Sequence, residues 1–189
     1  MEELKMKVAR HAKRLLDKQN FIILDTETTG LDHTAEACEI SIINYNNDVL
    51  FDSLIKPARP IPARATEIHG ITNEMVKDAP AFNEVAHIVE KIINENILGI
   101  YNFDYDVKIL SQTSMFAGSG IKVPGAGFCV MNMFSEWHGE WNDYYGNYRW
   151  IKLTDAAKIT GYVPNGGQAH RALEDCKMTA HVLKFMAGV

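Results

Sequence analysis

The sequence predicts one α/β domain built on a mixed β-sheet with helices on both faces. Three strand-like segments joined by short links come first, as in an antiparallel meander. The remainder alternates strands with helices, which requires parallel pairing and places helices against the sheet. The 189 residues, 47% of them apolar, suit a single domain with one core.

The first half of the chain supplies a helix and the meander. Residues Glu2 to Lys18 have the amphipathic spacing of a helix. The apolar, β-branched run Phe21 to Thr26 predicts a buried strand. Two further strands are predicted over Ala37 to Tyr45 and Asp48 to Lys56, around a turn at Asn46-Asn47.

The second half alternates helices with strands. A helix is predicted over Ala81 to Asn94, a strand over Ile97 to Tyr101, and a helix over Asp104 to Phe116 with Asp104 as its N-cap. A glycine-rich stretch, residues 118–127, then leads to a brief strand and two final helices, at Phe128 to Met131, Leu153 to Ile159 and Ala172 to Phe185.

Composition narrows the class of protein. No apolar run reaches the roughly 18 residues of a membrane span, and the charged N-terminus lacks the apolar region of a secretory signal. We expect an N-terminal amphipathic helix in residues 1–20 and the main domain in residues 21–189. Because no long apolar run is present, we expect no membrane contact. The three cysteines form no C-x-x-C pair and indicate neither a zinc site nor a disulfide framework, so we expect a cytoplasmic location.

Two acids at the end of the first strand are the first sign of a functional site. Asp25 and Glu27 are two residues apart and therefore point to the same side of the strand. Like charges at this distance repel, and burial adds a desolvation cost that a bound cation removes. The alternative is that D-x-E occurs by chance at a strand end, and the pattern alone favours neither interpretation.

Two further acidic segments lie where helices are predicted to begin. Asp104 is explained as a helix cap, and Asp106 lies in the first turn, where the helix dipole favours a carboxylate. Both follow the carboxyl end of a strand, where open α/β sheets bind ligands. His170 and Asp175 are about 140° apart on a regular helix, so they can act together only if His170 lies outside the helix, next to the glycine-containing loop Asn165 to Gln168. Each feature alone also has a purely structural explanation.

Taken together, these side chains favour a metal centre. Four carboxylates and one histidine are expected to converge from a strand end and two helix starts. Ligands that are all oxygen atoms suit hard ions such as Mg²⁺ or Mn²⁺. Two such ions roughly 3.5–4 Å apart suit phosphodiester cleavage.

The chain resembles the DEDDh exonucleases, the proofreading-subunit-like branch of the ribonuclease-H-like superfamily. The resemblance covers about residues 21–185. It rests on four motifs, LDTETTGL from Leu24, IHGIT from Ile68, YNFDYD from Tyr101 and AHRALEDC from Ala169, which are weak singly and highly specific in this order and spacing. It implies a ribonuclease H-like mixed five-stranded sheet of order 3-2-1-4-5 with the second strand antiparallel.

The resemblance also implies a role for each motif residue. Asp25 would bridge two divalent ions, Mg²⁺ or Mn²⁺, Glu27 and Asp175 would complete one metal site, and Asp106 would hold the second ion. His170 would be the general base that deprotonates the attacking water. Thr28 and Leu31 would line the terminal nucleotide, with the Leu31 side chain against the base. His69 and Ile71 would form part of the wall of the nucleotide pocket, and Asn102 would support the site from behind.

The implied reaction is 3′→5′ hydrolysis of single strands or frayed 3′ ends of DNA, which releases nucleoside 5′-monophosphates. An exoribonuclease of the same family remains open, because the contacts that would recognise a ribose 2′-hydroxyl cannot be placed. An inactive subunit that binds nucleic-acid ends is the alternative of another class, and the complete set of ligands disfavours it. The motifs leave open a homodimer and a polymerase or repair partner.

Two features lie outside the motifs. The aromatic segment Trp137 to Trp150 could stack on unpaired bases, but a compact insertion with its own small core is favoured, with Tyr144 and Tyr145 the most exposed. The net charge of −5 contrasts with the basic surface usual in nucleic-acid-binding proteins, although an exonuclease need grip only a few nucleotides. The cations expected to contact phosphates are Arg149, Lys152, Arg171 and Lys177.

Overall fold

The secondary structure is described for residues 2–123, 127–164 and 170–189 by a computed structural model. Helix α1 (Glu2–Lys18) precedes the strands β1 (Phe21–Thr28), β2 (Ala37–Asn44) and β3 (Val49–Leu54). Next come α2 (Ala63–His69), α3 (Asn73–Val76), α4 (Phe82–Asn94), β4 (Ile97–Ile100), α5 (Phe103–Ala117) and β5 (Phe128–Cys129). The last elements are α6 (Val130–His138), the hairpin strands β6 (Trp141–Asn142) and β7 (Asn147–Tyr148), α7 (Leu153–Ile159) and α8 (Ala172–Ala187).

Five strands form one mixed sheet in the order β3-β2-β1-β4-β5. Strand β2 runs antiparallel to both β1 and β3, whereas β1, β4 and β5 are parallel. The fold class, the strand order and the antiparallel second strand are therefore confirmed. The pairing of β1 with β2 becomes irregular between Glu27 and Thr28, at the carboxyl end of β1.

The side chains of β1 alternate between two hydrophobic layers. Phe21 and Ile23 belong to the core cluster that includes residues of α1, α6 and α8. Ile22 and Leu24 belong to the cluster that includes residues of α4 and α5. Burial on both faces explains why β1 reads as a continuous apolar run. The same alternation places the acids that follow on the α8 side and Thr26 on the α5 side.

Several predicted boundaries differ from the structure. The segment Phe128 to Met131 is only briefly a strand, because α6 already begins at Val130. Helices α2, α3 and α6 and the β6–β7 hairpin were not predicted. Asp104 is not an N-cap, since α5 begins at Phe103, directly after Asn102. Residues 124–126 of the glycine-rich stretch and the loop Asn165 to Gln168 lie outside the described residues.

Helix α1 packs along α6 and α8, and it buries Val8, Ala12 and Leu15. Among the helices of the described residues, none has the length and apolar character to cross a membrane.

Candidate active site

Three carboxylates meet at the carboxyl end of β1. Asp25 and Glu27 extend from the strand, and Asp175 lies in the first turn of α8. One oxygen of each lies within 4.8 Å of an oxygen of the other two. A donor set made of oxygen atoms alone at this spacing fits a hard divalent cation. The structure therefore brings together three of the four acids expected to bind metal.

The fourth acid, Asp106, approaches from the other face of the sheet. It lies in the first turn of α5 and is only 4% exposed. The Thr26 hydroxyl donates a hydrogen bond to its Oδ1 at 2.7 Å. After burial, the charge of Asp106 is the largest influence on the pKa of Asp25, which lies well above its ordinary value. Asp106 is thus close enough to act with the other three acids, though it is not one of the mutually close trio.

The four carboxylates have raised pKa values because burial and neighbouring acids disfavour their charges. Burial raises the pKa of Glu27 from 4.5 to about 8, and the charge of Asp175 adds to this. Burial likewise raises the pKa of Asp106 to about 7 and that of Asp175 to about 6. Bound cations would remove this penalty, since they compensate both the lost hydration and the repulsion.

His170 lies just before α8, as predicted. Arg171 is the N-cap of the helix, so His170 is outside it, with its side chain exposed. Its backbone N–H donates to Asp175 Oδ1 at 3.3 Å, and its φ of 63° is in the left-handed region, which residues other than glycine seldom adopt. Because His170 lies outside the helix, its side chain is free of the angle of about 140° that would separate it from Asp175 on a regular helix.

An ion pair that was not predicted, buried at its Glu39 end, fixes the start of α8. Glu39 pairs with Glu27 across β1 and β2 and is 3% exposed. Its carboxylate accepts hydrogen bonds from the Arg171 guanidinium, with Nε 3.0 and 3.1 Å from the two oxygens, and from the Ala172 backbone N–H at 2.9 Å. The pair anchors the start of α8, which carries Asp175, to strand β2. The only signal in the sequence is a carboxylate in the middle of a mainly apolar strand.

The cations expected to contact phosphates are mostly engaged by neighbouring acids. Arg171 is held by Glu39, as described above. Arg149 pairs with Glu140 at 2.8 Å, and Lys177 Nζ lies 3.6 Å from Glu174. Lys152 is exposed.

The loop after β1 is held by α5. The Tyr105 hydroxyl donates to the Gly30 carbonyl at 2.9 Å and lies 2.8 Å from the Thr28 hydroxyl. Lys108 Nζ donates to the Leu31 carbonyl at 3.3 Å. These contacts fix the backbone of the loop, and the Leu31 residue is 79% exposed.

The residues of the second motif lie beneath this loop. His69 is 3% exposed, and its Nδ1 accepts a hydrogen bond from the Ile71 N–H, so its Nε2 carries the proton and faces the Thr28 carbonyl at 3.3 Å. Burial lowers the pKa of His69, which keeps the ring neutral. Ile71 is fully buried, and its backbone N–H is the donor that fixes the His69 ring. Asn102 is exposed at the start of α5.

The exonuclease family model matches residues 22–183, most of the chain and the whole site. The chain belongs to this exonuclease family. Within it, the five-stranded sheet is the ribonuclease-H-like one that the resemblance to the DEDDh exonucleases implied.

Two relatives are similar to this exonuclease over most of its length. It is 39% identical over 189 residues to the uncharacterized exonuclease CP81 of Escherichia phage 186, covering 95% of this chain and 94% of the phage protein. It is 34% identical over 175 residues to the DNA polymerase III subunit epsilon of Rickettsia prowazekii, covering 88% of this chain and 73% of that subunit.

Solved structures share the fold. Exonuclease X in complex with 5′ overhanging duplex DNA superposes with a TM-score of 0.67 at 25% identity, covering 89% of this chain and 92% of that one. The nuclease domain of 3′hExo, a DEDDh family member bound to rAMP, has a TM-score of 0.63 at 20% identity and covers 87% and 89% of the two chains.

Proposed function

We propose that this exonuclease removes nucleoside 5′-monophosphates one at a time from the 3′ end of DNA, with single strands or frayed ends as substrate. The observation that carries the proposal is the meeting of Asp25, Glu27 and Asp175 within 4.8 Å, beside an exposed histidine. Buried acids with raised pKa values are typical of functional sites. The likeness to an epsilon subunit of DNA polymerase III supports DNA as the substrate.

In this proposal the four carboxylates hold two divalent ions, Mg²⁺ or Mn²⁺. Asp25 would serve both ions. Glu27 and Asp175 would complete the ligand set on the α8 side, and Asp106 would act from the α5 side. When bound, the ions would lower the pKa of the attacking water and neutralise charge on the phosphate. Thr26 orients the Asp106 carboxylate, and Glu39 fixes the helix end that carries Asp175.

His170 is the proposed general base. Its imidazole is exposed next to Asp175, where it can accept a proton from a water that attacks the terminal phosphodiester. The displaced group is the 3′ oxygen of the preceding nucleotide, so the product carries a 5′-phosphate.

The terminal nucleotide is proposed to lie on the loop after β1. The exposed Leu31 side chain would contact the base, and Thr28 would contact the nucleotide from the same loop. His69 and Ile71 act from beneath: neutral His69 holds the Thr28 carbonyl, and Ile71 fixes His69. Asn102 would support the site from the start of α5. Residues 21–189 would form the catalytic domain, with α1 as an N-terminal addition to it.

The test is digestion of matched oligonucleotides labelled at the 5′ or the 3′ end, as DNA and as RNA, single- and double-stranded, with Mg²⁺ or Mn²⁺. We expect a ladder of shortening products from 5′-labelled single-stranded DNA, release of 5′-monophosphates, and no turnover by Asp25→Asn. Release of 3′-monophosphates, or cleavage of a circular single strand, would rule out the mechanism. Faster digestion of RNA would make the protein an exoribonuclease.

A further inference from the structure

Trp150 presents an aromatic surface to solvent on a fixed backbone. The residue is 66% exposed, whereas the adjacent Ile151 packs against the core. The Tyr101 hydroxyl donates to the Ile151 carbonyl at 2.7 Å. On the other side, the Arg149 N–H donates to the Glu140 carbonyl at 2.8 Å. Because the backbone on both sides is already ordered, the protein would lose little conformational entropy when a flat ligand stacks on the indole.

This exposure differs from the expectation for the aromatic segment. The β6–β7 hairpin does not bury a small core of its own: Trp141 is 52% exposed, and Tyr144 and Tyr145 are 86% and 71% exposed, as expected for those two. Trp141 meets Tyr148 edge to face, and Tyr144 meets Tyr145 in the same way, so most of the surface of the exposed rings stays free. Trp137, at the start of the segment, instead packs on Phe134.

Trp150 lines a cavity of about 310 Å³ that adjoins the proposed site of the terminal nucleotide. Tyr105 and Lys108 line the same cavity, and both also bind the loop after β1, through the Gly30 and Leu31 carbonyls. The cavity and the loop therefore share two side chains of α5. A strand whose last nucleotide lies against Leu31 would have this cavity next to it.

The charges around the cavity suit a base on the indole and a phosphate near Lys108. Lys108 is an exposed cation that attracts a phosphate. Asp104 also lines the cavity, and its negative charge keeps the phosphate at the Lys108 side of the cavity. Asn102 and Asn132 add uncharged hydrogen-bonding groups. Stacking on an aromatic side chain requires a free base face, which a single strand offers and a paired, stacked duplex does not.

We propose that unpaired bases immediately upstream of the 3′-terminal nucleotide stack on Trp150, with Lys108 beside the intervening phosphate. This inference rests on the proposed function, because the preceding nucleotides lie next to the cavity only if the 3′-terminal nucleotide is bound against Leu31. It gives the exonuclease a second contact that selects single strands and frayed ends. Trp141, in β6 of the same aromatic segment, does not line the cavity and therefore serves as a control.

The test compares a substrate that spans both contacts with one that fills only the terminal site. For Trp150→Ala, the KM for single-stranded oligonucleotides should rise roughly 5- to 150-fold, the effect of removing one base–aromatic stack. For the 4-nitrophenyl ester of thymidine 5′-monophosphate, which has no upstream base to stack, the KM should change by less than about twofold. Trp150→Phe should restore most of the oligonucleotide affinity, and Trp141→Ala should raise the two KM values equally or not at all.

Binding without turnover separates this inference from the proposed function. In the Asp25→Asn background, anisotropy of a labelled single-stranded oligonucleotide should show weaker binding when Trp150→Ala is added, whatever the products of the wild type are. An unchanged oligonucleotide affinity, or an equal loss for the ester, would overturn the role of Trp150. If Trp150→Ala is poorly folded, Trp150→Gln at this exposed position provides the same comparison. A wild type without nuclease activity would refute the proposed function alone.

Discussion

The metal-free protein should lose stability as pH rises, because folding brings buried acids together. The pKa of Glu27 is about 8 in the folded protein and 4.5 ordinarily. A raised pKa means that the protonated carboxyl is the form that folding favours. Its contribution to stability is therefore complete below pH 4.5 and is lost as pH rises through about 8. At about 1.4 kcal/mol per tenfold change in the ionisation constant, the loss is on the order of 5 kcal/mol.

This magnitude is large enough to measure by thermal unfolding. About 4 kcal/mol of this loss falls between pH 4.5 and 8. At roughly 2–4 °C per kcal/mol for a protein of this size, the Tm should fall by about 8–16 °C over that range. The other three carboxylates act in the same direction, but their titrations are coupled to that of Glu27, so the separate effects do not add. Saturating Mn²⁺ at pH 8 should reverse the loss, because the ion binds the folded protein and stabilises the charged carboxylates.

The assay is a series of melting curves in EDTA from pH 4.5 to 8.5. Glu27→Gln should flatten the pH dependence and melt higher than the wild type at pH 8 without metal. Glu67→Gln, at an exposed acid on α2, is the matched control and should follow the wild type. A wild-type Tm that does not fall over this range, or a Glu27→Gln profile as steep as the wild-type profile, would refute the electrostatic reasoning.

Three further predictions concern individual side chains. Asp106→Ala should lose nearly all turnover. Asp104→Ala removes an exposed acid from the first turn of the same helix and should lose only about 0.3–1 kcal/mol of stability, its interaction with the helix dipole. Comparable kcat values for the two variants would show that the fourth ligand is misplaced. Glu39→Gln should weaken Mn²⁺ binding measured by calorimetry by about 10- to 100-fold, because the bidentate hold on Arg171 and the start of α8 is lost; unaltered metal affinity would show that Glu39 has no positioning role. His170→Ala should lower the single-turnover rate by about 10²- to 10⁴-fold and still bind Mn²⁺; loss of the ion would make the imidazole a ligand, and an unchanged rate would remove it from the mechanism.

The sequence by itself was enough for the sheet and for one half of the site. The run Phe21 to Leu24 is apolar at every position because both faces of β1 are buried, and the period of two in a strand puts Asp25 and Glu27 on one side. The order and spacing of the motifs identified the family and the five-stranded sheet. Conversely, the start of α6 was missed, since a short apolar run such as Phe128 to Met131 does not distinguish a strand from a buried helix.

Tertiary structure decided what surrounds those acids. The Thr26–Asp106 hydrogen bond joins residues 80 positions apart, and the contact of Glu39 with Arg171 joins residues 132 apart. Local periodicity carries no information about either contact, because the partners meet only when α5 and α8 pack on opposite faces of the sheet. Burial of Ile71 and exposure of Trp150 have the same origin: each apolar side chain could have been covered or left open, and the packing of neighbouring elements, not residue type, determined which.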